Sequence, residues 1–200
     1  MINFTDITGL ASSAVAMTAM VVRLPAVARL PRVHFALLAC ATAIAVLIPL
    51  GGLPLAAYVR GWIGDLSITS LVLLLIAILR PLCGCPSSDI EAKTALFILI
   101  AFAALGLYPM ALGIGYFDPY RLGYGNPWFM GGLLLVALAA CFRQIPLAAF
   151  SIALAVLAWS IGWYESSNLW DYLLDPLLAI YATSALLKRS MQTRFKSLPG

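Results

Sequence analysis

Polar residues in this chain gather in short connections, and the stretches between them are apolar on every face. Runs such as LVLLLIAIL neither alternate with period two nor leave a polar stripe at helical spacing. They match helices in apolar surroundings, not barrel strands. A helix rising 1.5 Å per residue crosses a hydrocarbon core in about 20 residues. The pattern predicts seven such spans: Ile7 to Val22, Val33 to Leu50, Gly61 to Arg80, Thr94 to Ile114, Trp128 to Phe142, Pro146 to Trp163 and Leu169 to Leu187. The first is rich in small residues and the fifth is the shortest, so the bundle falls to six if one of them stays out of the bilayer.

Composition turns this pattern into a class. With 63% hydrophobic residues, 10% charged residues and a mean hydropathy of +1.00, a 200-residue chain carries more apolar surface than one water-soluble core can bury. The expectation is an all-α integral membrane protein with residues 1–187 as one transmembrane domain and 188–200 as a basic cytoplasmic tail. The start MINFTD lacks a basic leader region, and Arg23 follows the first apolar stretch, so that stretch reads as a first span and not as a cleaved signal.

Charge then orients the bundle. An outer N-terminus puts Arg23, Arg29, Arg32, Arg80, Lys93, Arg143, Lys188, Arg189, Arg194 and Lys196 on the inner side and leaves only Arg60 and Arg121 outside. That bias follows the positive-inside rule and predicts a cytoplasmic C-terminus in a bacterial-type inner membrane. The carboxylates divide the other way: Asp6, Asp65, Asp118, Glu165, Asp171 and Asp175 fall outside, Asp89 and Glu91 inside. The basic residues are spread over several short inner loops and a tail, which suits attraction to anionic lipid and does not suit nucleic acid.

The outer side also holds the aromatic residues. Tyr58, Trp62, Tyr108, Tyr116, Tyr120, Tyr124, Trp128, Trp159, Trp163, Tyr164, Trp170 and Tyr172 all map there, as an interfacial belt or as a stacking platform for a ligand. Between the second and third spans, Gly51, Gly52 and Pro54 break the helix, and the piece that follows is expected to carry Arg60 back toward the protein.

The candidate chemistry lies among these residues. Read as one helix, NLWDYLLDPLL puts Asp171 and Asp175 one turn apart on one face, and Asp65 follows Trp62 at a similar shallow depth. Carboxylates at that depth are costly against lipid, so Asp65 and Asp175 are expected to share a cavity with an outer arginine in reach. The candidate ligand-binding residues are Asp65, Asp118, Arg121, Asp171, Asp175, Arg60, Trp62 and Trp170. Ser67, Thr69 and Ser70 extend a polar path that ends where the sequence becomes LVLLLIAIL.

Other chemistries lack their residues. His34 is the only histidine, which leaves one chain without a paired-histidine haem site or a histidine-rich metal site. Cys83 and Cys85 form a C-x-C in an inner, reducing loop, and no metal or cofactor is assigned to it. The leading functional expectation is a binding or accessory subunit of a membrane-embedded envelope system, with an acidic, aromatic-rimmed outer vestibule for a polar headgroup, saccharide or cationic ligand. The alternatives are a small solute or lipid transporter and an outer-face membrane enzyme using an aspartate as acid or base; catalysis is the less favoured. The expected partners are the lipid bilayer and a membrane protein or a second copy of the chain.

Overall fold

A computed structural model describes residues 3–84 and 90–196, and the side chains through residue 192. Among the described residues the chain is all-α apart from one hairpin of two-residue strands, in which Pro49–Leu50 pairs with Leu53–Pro54 through Gly51 and Gly52. Both glycines have positive φ, 70° and 111°, which a side chain would resist. Nine helices occur among the described residues: α1 (Phe4–Val22), α2 (Arg32–Ala45), α3 (Leu55–Ile63), α4 (Ile68–Cys83), α5 (Ile90–Ala111), α6 (Pro127–Phe142), α7 (Pro146–Ser160), α8 (Leu169–Leu173) and α9 (Pro176–Lys196). Two 3-10 turns, Val27–Arg29 and Pro119–Gly123, complete the regular structure.

Seven of the helices are long and run alternately up and down. The hairpin, α3, the Pro119–Gly123 turn, residues 161–168 and α8 gather at one end as a cap. The hydrogen bonds that join α1 to residues 163 and 164, and α4 to residue 175, all lie at that end. Two helices, α1 and α5, are long and apolar enough to cross a membrane. The apolar helices α2, α4, α6 and α7 have 14 to 16 residues, or about 21 to 24 Å, short of a hydrocarbon core of about 30 Å.

Two of the expected spans are not continuous. Gly61 to Arg80 is interrupted where Gly64 takes φ 74° and Ser67 caps α4, its Oγ accepting the Ser70 N–H at 3.1 Å. Leu169 to Leu187 is interrupted at Leu174, which is extended (φ −144°, ψ 135°). The second break follows from Pro176, because a residue before proline is driven out of the helical region and proline itself favours the first helical position. Asp171 and Asp175 are therefore not one turn apart on one helix. At the other end, α9 continues through Lys188 and Arg189 to Lys196. Cys85 and Asp89 lie outside the described residues.

Packing inverts the habit of a soluble protein. The buried face of α1 is Thr8, Gly9, Ser12, Ser13, Ala16 and Ala19, small side chains that let α2, α3 and α4 approach closely. Large apolar residues point outward: Phe102 is 80% exposed, Leu112 82%, Phe142 85% and Leu135 68%. The central contacts are made by Leu96, Ile100, Ala104 and Leu107 of α5 against Leu178, Ala179 and Ala182 of α9.

Candidate functional site

The cap is built from side chains that terminate helices. Asp175 immediately precedes α9, and its Oδ1 accepts the Leu178 N–H at 2.8 Å, the bond expected of an N-cap residue. Its Oδ2 accepts from the Ser67 N–H at 3.0 Å, the Ser67 hydroxyl at 2.7 Å and the Ser70 hydroxyl at 2.5 Å. Asp175 is 5% exposed, and its oxygens are met by four donors, none of them an arginine among the described residues. One carboxylate thus starts α9 and ties it to the start of α4.

Asp65 belongs to a different cluster. Arg60 on α3 donates to it through Nε at 2.6 Å and Nη2 at 3.1 Å, a bidentate pair, and its Nη1 lies 3.5 Å from Asp6 of α1. The hydrogen bonds to Asp65 hold the Arg60 guanidinium in its charged form even more firmly than usual, against the partial burial that opposes it. Gly9 permits this contact, because a Cβ there would overlap the guanidinium. Arg60 thus reaches a carboxylate, as expected of one of the two arginines on that side of the charge pattern, while Asp65 and Asp175 take different hydrogen-bond partners.

Asp171 anchors a third cluster. It accepts from the Tyr120 hydroxyl at 3.0 and 3.1 Å and from the Ser166 hydroxyl at 2.5 Å. Trp170 donates its indole N–H to the Pro119 carbonyl at 3.0 Å, and its ring lies on Phe129 with centroids 4.6 Å apart. Asn168, fully buried, caps α8 by accepting the Trp170 N–H and donates to the Tyr120 carbonyl at 2.9 Å. Gly123 lies so close to Asn168 that a Cβ would overlap its amide. Partial burial and the Asp171 carboxylate both push the Tyr120 phenol up.

The remaining candidates lie toward the surface. Asp118 accepts the Tyr120 N–H at 3.0 Å and opens the 3-10 turn, Arg121 is exposed on that turn, and Trp62 is 94% exposed. The aromatic residues expected on the outer side differ in burial. Trp62, Trp128, Tyr116 and Tyr124 are exposed, whereas Tyr164 and Tyr172 are buried. Tyr172 accepts the Tyr164 N–H at 3.0 Å and donates to the Ser166 carbonyl at 2.9 Å, and the Tyr164 hydroxyl is 2.8 Å from Ser12 of α1. Neither Asn168 nor Ser166 stands out in the sequence as a site residue, and Ser12 reads there only as a small packing residue. Asparagine one residue before a short apolar helix was the available signal for the first.

Beneath the cap lies a cleft of about 590 Å³ between α5, α6 and α7. Its walls include Leu99, Phe102 and Ala103 of α5, and Leu133 and Val136 of α6. Pro119, Leu122, Trp128 and Trp170 form its upper border. The lining is almost wholly apolar, and Gly106 and Gly132 keep it wide. Ser151 of α7 also lines it, 1% exposed, with a hydroxyl that has no partner. No protein-family model, curated protein or solved structure matches the chain.

Proposed function

We propose that this chain is a polytopic inner-membrane protein that holds the hydrocarbon chain of a lipid-linked ligand in the α5–α6–α7 cleft, with the ligand's polar end at the cap. Membrane embedding draws on the inverted packing: large apolar side chains face outward while Thr8, Ser12, Ser13, Ser67, Thr69, Ser70, Ser151 and Asp175 are buried. The short helices suit this if the bilayer thins around them or the cap residues sit in the headgroup layer. The lysine and arginine bias orients the cap outward.

The observation that carries the ligand reading is the cleft itself. Its walls are hydrocarbon, its flank carries the outward-facing Phe102 and Trp128, and its upper border is the aromatic cap. An acyl or isoprenoid chain fills such a space without desolvating any charge. The headgroup, phosphate or saccharide then meets exposed Trp128 and the exposed cation Arg121, one residue from cleft-lining Leu122. In this reading the carboxylates hold the cap in place and the aromatic residues and Arg121 contact ligand. The role is that of a binding or accessory subunit of an envelope system acting on lipid-linked material. The transporter alternative draws on the two interrupted helices, which meet at Ser67 and Asp175. Both interruptions lie at the cap end and Asp175 is saturated with donors, so binding is the better-supported reading.

Gly132→Leu tests it. A Cβ at Gly132 meets nothing within 4 Å, so the larger side chain fills cleft and not protein. Native mass spectrometry of the gently solubilised wild type is expected to show retained long-chain lipid, and the Gly132→Leu variant to lose it while keeping its unfolding temperature. Equal lipid retention by both proteins would defeat the proposal.

A further inference from the structure

A second cavity lies at the end of the bundle opposite the cap, enclosing about 270 Å³, several times a water's share of roughly 30 Å³. Arg23 at the end of α1, Arg80 in the last turn of α4 and Lys93 in the first turn of α5 all line it. Lys93 lies within electrostatic reach of both arginines. The three cations come from three helices, so their convergence is a product of the fold and not of a local run of sequence. Helix ends do not supply this charge: α1 and α4 finish here and α5 begins, leaving the partial charges of the ends to oppose one another.

Below the cations the wall changes character. Leu73, Ile76, Ala77 and Arg80 are spaced three, four and seven apart on α4, so one face of that helix runs from hydrocarbon to guanidinium. Phe97 and Tyr181 close the opposite side, with ring centroids 5.6 Å apart and edge to face. A cationic end joined to an apolar wall matches a phosphate carried on an apolar body. Arginine suits phosphate by its planar set of donors and lysine by its compact charge.

We infer that the Arg23–Arg80–Lys93 cavity is a binding site for a phosphate group, at the end of the bundle opposite the cap and lined by none of the residues that line the lipid-chain cleft. The phosphate belongs to an anionic lipid headgroup or to a soluble phosphate compound. The apolar wall of α4 favours the lipid, whose glycerol and first methylenes it would cover.

The test uses the purified full chain in detergent, titrated with short-chain phosphatidic acid, with diacylglycerol of the same chain length and with inorganic phosphate, binding being read as a rise in unfolding temperature. Phosphatidic acid is expected to raise it well beyond diacylglycerol, whose acyl chains can enter only the α5–α6–α7 cleft. Loss of two charge-assisted contacts in Arg23→Gln/Lys93→Gln is expected to weaken phosphatidic acid by roughly tenfold or more. A response to inorganic phosphate as strong as that to phosphatidic acid, lost in the same variant, identifies the source as a soluble phosphate. Should the double variant fail to fold, Ala77→Trp fills the cavity from its apolar side without removing charge and is expected to abolish the excess of the phosphatidic acid response over that of diacylglycerol. Equal responses to phosphatidic acid and diacylglycerol, no response to either phosphate compound, or an undiminished response in the variants would overturn the inference.

Discussion

Replacing Asp175 with asparagine turns one acceptor oxygen into a donor, and whichever way the amide sits, its NH2 meets a backbone N–H, that of Leu178 or that of Ser67. The site is buried, so the cost is expected to be about 2 to 3 kcal/mol, checked by thermal unfolding in detergent. Ser70→Ala removes one of four donors and is expected to cost about 1 kcal/mol by the same measurement. The buried phenols give a pH signature of their own. Burial raises Tyr164 and Tyr172, and burial with the Asp171 carboxylate raises Tyr120. A group raised in the folded state favours folding at pH below its unfolded value of about 10, and that contribution is lost as pH climbs above it. Alkaline titration followed by tyrosinate absorbance is thus expected to show two stages, the second coinciding with loss of helical circular dichroism. A single reversible stage with the helices intact would contradict this.

The cap is a set of short elements held by side chains, so its predictions concern docking. Gly123→Ala drives a methyl group into Asn168 and is expected to lift the 3-10 turn away from α8, costing about 1 to 3 kcal/mol. Limited proteolysis would then cut within residues 119–126 before any helix is lost. Arg60→Gln removes the pairs to Asp65 and Asp6, which are partly exposed, so a loss of about 1 kcal/mol or less is expected in thermal unfolding. The element scale also shows what was legible in the sequence. Apolar stretches located α1, α2, α5, α6 and α7, because length and hydropathy are properties of a segment alone. The breaks at Gly64 and Leu174 were hidden, since an apolar run reads the same whether its backbone is helical or extended. Aspartate before Pro176 and serine at position 67 were the cap signals, and both were read as ionisable or hydroxylated positions on a continuous helix. The partners of Asp171 and Asp175 could not be read at all, because Tyr120 lies 51 residues away and Ser67 108.

For the whole molecule, the outward-facing apolar residues and the sided charges lead to one labelling experiment. In a cysteine-free background, Tyr124→Cys at the cap and Gln192→Cys near the end of α9 are expected to react with an impermeant thiol reagent from opposite sides of sealed vesicles, the cap from outside. Labelling of both from one side would remove the alternating bundle from the membrane reading. The Ser67–Asp175 joint also bears on how such a chain is made. Until α9 arrives, the Ser67 N–H and the hydroxyls at the head of α4 lack the carboxylate that accepts them. A nascent chain halted before residue 175 thus leaves donors at the head of α4 without this acceptor. Helix α9 completes the bonding of a helix synthesised more than a hundred residues before it, and chains truncated before Asp175 are expected to be shorter-lived than those that include it.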